Sequence, residues 1–566
     1  MVWDEIVGAN CMNTEPYDVL VVGSGAAGSF AAKELTERGL RVLVLEAGRN
    51  VTGEDFKVDL KAPKEKGIQL WARIRAAFEG QPIQSKVAFY GRQLKHFFVR
   101  DREHPYTTPR GKPFLWIRGK QLGGRLHTYG RMLLRWTDYD FKAASRDGYG
   151  EDWPIGYSDI APYYDRIEEF LGVYGEAREI SNLPAGRYAA EARLTRAEKA
   201  FKAKIEQKWP DRAVTTWRYV PPNAKRIPHA LLAAQATGRL TVRTDAIVRR
   251  VLTDPETGKA TGVEYADRLT KKIEFVSGKV VVLCASPIET VRLMLNSTSA
   301  RHPQGVANSS GVLGHYFMDQ VPSLIIGTVP GVTGAEVADP LPADPFYGNS
   351  GGIYIPRFEN LDQPAKQTFR RGFGFQGTIG RLFVEEGRLA QFGIMGFGEM
   401  LPHYENQISL DPRRADAWGV PLPHIACAIT PNEAELLRSQ VAAIKDMVEA
   451  AGLDIEFYGS QFGLVEQGRG AFPDADWFSR LLFRLNFTKG MAMGAAIHES
   501  GGARMGTDPA ISVLNAHNQC WDVPNLFVTD ASSFASGGCC GTTLTVMALT
   551  VRACEYVAEQ LAAGRL

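Results

Sequence analysis

Unbroken apolar runs and alternating ones divide the chain. In YDVLVVGSGAAGSFAAKELTERGLRVLVLEAG, Tyr17 to Gly48, the run Val19 to Val22 predicts a strand buried on both faces. Ala26 to Arg38 predicts a helix, and Arg41 to Leu45 a second buried strand ending at Glu46. Trp153 to Gly172 predicts a turn feeding a short amphipathic helix, and Ala189 to Lys208 another surface helix. From Leu240 to Ser286 the period shortens to strands joined by turns, and the continuous run Val280 to Leu283 predicts a return to the central sheet. Pro287 opens a helix over Ile288–Leu295. Val312 to Gly490 is strand-rich with one strong helix, Glu433 to Ala450. Pro524 to Thr529 predicts a strand ending at Asp530, and Thr543 to Leu561 a long final helix.

These elements predict an α/β protein with a discontinuous Rossmann-like domain, residues 14–150, 222–311 and 491–566. Within it, 51–110 is basic and aromatic with no clear period, and reads as an irregular surface excursion or a lid. Residues 151–221 and 312–490 form an inserted, mostly antiparallel substrate domain.

The first strand is followed by Gly23, Gly25 and Gly28 in the spacing G-x-G-x-x-G, the order expected of a dinucleotide-binding βαβ unit. Gly23 lets the chain turn off the strand, Gly25 lets a pyrophosphate approach the backbone, and Gly28 lets the helix pack closely. Unpaired N–H groups at the helix start favour phosphate. Glu46 can accept from ribose hydroxyls and would repel a 2′-phosphate. Gly123 and Gly124, in RGKQLGGRLHTYGRMLLRW, imply a second close backbone approach to a flat or charged ligand.

Composition narrows the function classes. At 566 residues the chain exceeds one compact core. Its 45% hydrophobic and 23% charged residues are ordinary for a globular protein. A formal net charge of +2 gives no footprint for nucleic acid or an anionic membrane. No apolar run is long enough to span a bilayer, and the acidic N-terminal stretch does not read as a secretory signal. The seven cysteines form no disulfide framework and no Cys-x-x-Cys. A cytoplasmic location fits, or a periplasmic one if a signal-bearing partner carries the chain out. The neighbours Cys539 and Cys540 read as packing residues.

At this point the chain resembles the glucose-methanol-choline (GMC) family of FAD-dependent oxidoreductases. The likeness rests on VVGSGAAG with Glu46, RGKQLGG, VVVLCASPIETVRLML, GVLGHYFMDQ, HESGGARMG and NLFVTDASSF, in that order. Within the family it is most similar to bacterial glucoside 3-dehydrogenases, pyranose oxidases and C-glycoside 3-oxidases. The resemblance implies the family's p-hydroxybenzoate-hydroxylase-like architecture. It implies FAD, and oxidation of a secondary alcohol of a sugar or glycoside, with C3 a candidate position, by hydride transfer to flavin N5. An alternative is a non-sugar alcohol, whether polyol, aryl or terpenoid, or a flavoprotein subunit of a larger dehydrogenase. The electron acceptor is left open among oxygen, a quinone and a cytochrome, with no nucleic-acid partner and no membrane insertion.

By family position the cofactor would contact Gly23, Gly25, Ala26, Ala27, Gly28, Glu46, Arg118, Gly123, Gly124, Val248, Asp530 and Ala531. Thr543, Leu544 and Thr545 at the start of the final helix would point at the flavin's pyrimidine end, where a helix N-terminus stabilises negative charge. His498, first residue of HESGGARMG, matches the catalytic histidine and would serve as general base. The family's second polar partner, His or Asn, is missing, because Gly541 and Thr542 stand in its place. Three readings are open: Thr542 or a nearby hydroxyl substitutes, a side chain of the inserted domain does, or the usual activity is lost. Thr128 stands where some pyranose oxidases attach FAD through histidine, so non-covalent FAD is expected, with His127 facing elsewhere. GEMLPHYENQISLDP, Gly398 to Pro412, is expected to supply strands facing the flavin, with Glu399 and His403 as candidate substrate contacts.

Overall fold

The unbroken apolar runs pair as parallel strands. Tyr17–Val22 lies between Val42–Leu45 and the C-terminal half of Ile273–Leu283, in register Val19↔Val42 and Val19↔Val280. Leu240–Arg243 adds beyond Val42–Leu45, and Leu526–Val528 beyond Ile273–Leu283. The N-terminal half of Ile273–Leu283 alternates exposed and part-buried positions and leaves the parallel sheet. It pairs instead with Ala260–Asp267, which pairs with Ala246–Thr253 in an antiparallel meander. Helices Ala26–Glu37, His229–Ala236 and Thr543–Ala562 pack together over one face of the parallel strands. This computed structural model describes residues 16–58, 70–87, 90–91, 93–336, 343–362, 367–382, 384, 386–470 and 475–566. Residues 14 and 15 of the expected first domain, and 59–69, 88–89 and 92 of the expected excursion, lie outside the described residues.

A second sheet is antiparallel throughout. Its order is Glu466–Gly468, Asp454–Ser460, Gln320–Thr333, Leu389–Glu399, Phe373–Ile379, Ile353–Ile355 and Thr215–Thr216. The period of two sends Val321, Phe373, Phe375, Phe392 and Ile394 to a core shared with Leu436, Ile444 and Met447 of the helix Pro431–Ala450. On that same face Gly396 and Gly398 leave room for Gln440 and Leu436. The opposite face presents Gln376, Met395 and Phe397, and Gln376 stands directly across from Met395.

Several boundaries move for identifiable reasons. The helix expected from Ala189 begins at Arg196, because Thr195 caps it reciprocally with Glu198. The helix expected from Glu433 begins at Pro431, behind a capping box of Thr430 and Glu433. In the stretch 398–412, Met400–Asn406 is not strand, and Gln407–Ala415 pairs with Pro421–Ala426 in a separate hairpin packed on Pro287–Asn296. The helix Trp477–Gly490 was not expected, since its apolar residues face outward rather than forming a buried stripe. Among the described residues no helix is long and apolar enough to cross a membrane.

Candidate active site

A cavity of about 590 Å³ runs from the glycine turn after the first strand to the inner face of the antiparallel sheet. Gly23 turns at φ +99, and a Cβ there would lie 2.5 Å from the Cys284 carbonyl oxygen. A Cβ on Gly28 would lie 1.9 Å from the Gly23 oxygen, so helix and strand meet here backbone to backbone. Gly25 is different: a Cβ would meet nothing within 4 Å, because the residue opens onto the cavity. A Cβ on Gly124 would lie 3.3 Å from the Gly25 Cα, which brings the two glycine turns together.

Ser24 joins these turns to Glu46. Its hydroxyl donates to Glu46 Oε2 at 2.5 Å and accepts from the Gly123 N–H at 2.9 Å. Glu46 also accepts from the amides of Ser24 and Gly48. Burial raises its pKa, and these bonds oppose the rise. The first helix has neither a side-chain cap nor an acid in its first turn, and the final helix is alike in both respects. Both helix starts therefore offer unpaired N–H groups, and Gly25, Ala26, Thr542 and Thr543 line the cavity beside them.

Ala27, Glu46, Arg118, Gly124, Val248, Asp530 and Ala531 also line it. Arg118 stacks on Trp116 at 3.6 Å, and burial lowers its pKa to about 10. The Asp530 carboxylate is committed to the protein: Oδ2 accepts from Ser286 N–H and the Thr290 hydroxyl, Oδ1 from Ser532. It shapes the loop rather than offering a free acceptor. Gly28 and Gly123 serve packing and turn, and do not line the cavity. Leu544 and Thr545 are buried away from it, and the Thr545 hydroxyl bonds Tyr164 Oη at 2.8 Å.

His498 lines the other end. It follows Ile497, a β-branched residue at φ +62, a conformation that such side chains rarely hold without a local purpose. Its N–H donates to Asp319 Oδ1 at 2.9 Å, and its Nδ1 lies 2.6 Å from Gln320 Oε1. Gln320 Nε2 donates to the carbonyls of Gly538 and Cys540, each at 2.9 Å. The amide cannot turn over without losing both bonds, so Oε1 accepts and Nδ1 carries the proton. Nε2 is left with its lone pair and no partner among the described residues. Burial, then the Arg125 charge, lowers the imidazole pKa to about 4, so the ring is neutral at ordinary pH. Beside it, Arg125 pairs with Glu499 at 2.8 Å, and burial with the Glu499 charge pushes Asp319 upward.

The Phe397 ring packs 5.2 Å from the His498 ring, and Thr542, Gln376, Met395 and Arg131 also line the cavity. The Thr542 hydroxyl and the Gln376 amide have no hydrogen-bond partner among the described residues. Glu399 and His403 do not line the cavity. Glu399 is buried 3.4 Å from the Arg371 guanidinium, and the His403 imidazole bonds Tyr149 Oη at 2.5 Å. They are packing and network residues, because the strand that carries Phe397 inward ends at Glu399. Thr128 lines the cavity, whereas His127 is buried against Phe97 with Nε2 on the Leu122 carbonyl. Cys539 and Cys540 are buried free thiols. Ser24, Gln320, Gln376 and Arg131 were not singled out in the sequence. For Gln320 the signal was its place in GVLGHYFMDQ; for Gln376 nothing local marks it.

Two profiles of the GMC oxidoreductase family match the chain, over residues 17–321 and 402–550. The chain belongs to the GMC oxidoreductase family. This GMC oxidoreductase is 27% identical to 2-methyl-1,2-propanediol dehydrogenase of Mycolicibacterium austroafricanum, over 96% of this chain and 95% of that protein. It is 26% identical to paromamine 6′-oxidase of Streptomyces fradiae, over 96% and 92%. It is 24% identical to C-glycoside 3-oxidase of Arthrobacter globiformis, over 97% and 96%. Among solved structures, pyridoxine 4-oxidase from Mesorbium loti aligns with TM-score 0.60 at 17% identity, covering 95% of this chain and 99% of that one. Formate oxidase of Aspergillus oryzae aligns with TM-score 0.65 at 14% identity, covering 98% and 100%. These neighbours share its mixed α/β fold. The family oxidises CH–OH donors with FAD, and the residues here fit that cofactor: two unpaired helix starts, a cradle open at Gly25, and an acid at the end of the second strand.

Proposed function

We propose that this GMC oxidoreductase oxidises a secondary alcohol of a sugar or glycoside to a ketone, with His498 as general base. The observation that carries the reading is the His498–Gln320–carbonyl arrangement, which leaves Nε2 an unpartnered acceptor on the cavity wall. The glycine turns and the first helix start hold the dinucleotide phosphates, with Glu46 at the ribose. Bound FAD supplies the hydride acceptor. His498 Nε2 takes the hydroxyl proton as the C–H bond breaks, a contribution typically worth about 10²- to 10⁴-fold. Gln320 keeps Nδ1 protonated, so the same nitrogen faces substrate in every turnover. Gln376 and Thr542 hold the neighbouring substrate hydroxyls in place of the family's usual second His or Asn.

The choice of a glycoside rests on likeness to C-glycoside 3-oxidase and paromamine 6′-oxidase, and C3 as the position oxidised rests on the first of these alone. Likeness to 2-methyl-1,2-propanediol dehydrogenase supports a second reading, a small polyol. Anaerobic reduction of the bound flavin by a panel of glycosides and diols, with product NMR, decides between them. Bleaching by glycosides and a new ring ketone support the first reading, and bleaching by diols alone supports the second. FAD is held non-covalently, with Thr128 at the position of attachment in some pyranose oxidases; acid precipitation should leave the flavin colour in the supernatant.

A further inference from the structure

Six large exposed apolar side chains sit on two helices beside the His498 end of the cavity. On Leu70–Phe78, Trp71 is 73% and Phe78 79% exposed; seven positions apart, they share a face with Arg75 between them. On Trp477–Gly490, Trp477 is 75% and Leu485 64% exposed, and with Phe478 and Leu481 they form an outward apolar stripe at i, i+4, i+8. The inner side of this helix is held by Phe487 against Phe457, Ile326 and Met491.

The two helices share ground. Ala76 of the first and Ala492, just after the second, belong to one apolar cluster with Val87, Leu115 and Ile117. Leu94, Ala495 and Ile497 pack against that cluster and, with Val87, line the cavity. One apolar cluster thus links the undersides of both helix regions to the wall that carries His498.

The charge along the two helices is positive, with one carboxylate at an end of each: Glu79, which pairs with Lys95, and Asp476, which caps the second helix. Within their bounds the helices hold Arg73, Arg75, Arg480, Arg484 and Lys489, and no Asp or Glu. Arg480 pairs with Glu456 and Arg484 approaches Glu466. Arg75, Lys86 and Lys489 form no ion pair among the described residues, and Asp101 is the carboxylate that acts on Lys86. Burial and the Lys489 charge lower the Lys86 pKa, with the Asp101 carboxylate opposing the fall. Protruding Trp, Phe and Leu interleaved with unmatched cations match an anionic lipid surface, where rings enter the acyl boundary and cations meet phosphates. Projecting side chains also suit a fluid phase, which needs no complementary shape.

We propose that this face docks the enzyme peripherally on an anionic membrane surface, with Trp71, Phe78, Trp477, Phe478, Leu481 and Leu485 entering the interface and Arg75, Lys86 and Lys489 facing lipid phosphates. The docking is independent of which alcohol is oxidised.

The test is sedimentation of the FAD-loaded enzyme with two vesicles, pure phosphatidylcholine and equal parts phosphatidylcholine and phosphatidylglycerol. The expected result is about tenfold tighter binding to the anionic vesicles, weakening as salt rises. A Trp71→Ser, Trp477→Ser, Leu485→Ser variant should bind both vesicles about tenfold less, and Arg75→Glu, Lys489→Glu should lose the anionic preference. Both variants should keep the wild-type flavin spectrum, which shows that they fold. Absent binding to anionic vesicles overturns the proposal, as does binding that neither variant weakens. A solution dimer that the serine variant makes monomeric would also overturn it, assigning the face to a second copy of the chain.

Discussion

Gln320 decides which nitrogen of His498 is basic. Replacing it with Leu should leave FAD bound and lower the rate of flavin reduction by about 10- to 100-fold, a smaller loss than His498→Ala should give. Stopped-flow reduction at saturating substrate measures both. The pH profile follows from the imidazole's lowered pKa. Below about 4 the ring is protonated and cannot accept the hydroxyl proton, so kcat/KM should rise with pH through that region and be flat across neutrality. Arg125→Leu removes the cation that helps hold the pKa down, so the acid limb should move to higher pH. His498 was legible because its block carries it whatever the fold does. Gln320 was not legible as its partner, because the contact spans 178 residues and only the antiparallel sheet brings the two together.

At the scale of elements, the glycine turn separates packing from ligand approach. Gly28→Ala puts a methyl 1.9 Å from a backbone oxygen, so it should lower Tm by several degrees and lose FAD together. Gly25→Ala has open space, so it should keep the Tm of the FAD-free protein and weaken only FAD retention. Thermal melts and flavin absorbance distinguish the two. The βαβ unit, the returning run Val280–Leu283 and the final helix were readable because buried parallel strands and long helices leave uninterrupted apolar patterns. Trp477–Gly490 was not, because its apolar stripe faces out, and a stripe of that kind among strands reads as more strand. Met400–Asn406 was misjudged as strand since local sequence does not say where a sheet stops.

At the scale of the whole molecule, a net charge of +2 does not describe the surface near Trp71 and Trp477, where Arg75, Lys86 and Lys489 form no ion pair among the described residues. Summed charge therefore says little about a local interface. The end of the strand Leu389–Glu399 holds a buried carboxyl too. Burial raises the Glu399 pKa to about 7, the nearby Arg371 opposing the rise. A carboxyl raised on folding contributes its stability below the unfolded pKa and loses it as pH rises through the folded value. Glu399→Gln should thus gain in Tm relative to wild type between pH 5 and pH 8, as melts across that range would record. That both sheets would form was legible from period alone; how they face each other was not, since contacts such as Gln320 of the antiparallel sheet with Gly538 and Cys540, before the final helix, join segments far apart in sequence.

The anchoring of the Gln320 amide on the Gly537–Cys540 carbonyls has one more consequence. The proposed proton acceptor, His498, takes its orientation through Gln320 from a loop downstream of it in the chain, the same loop that leads into the last helix. Changes made there to admit bulkier alcohols would retune basicity as well as shape, so selectivity and turnover in this scaffold cannot be adjusted separately.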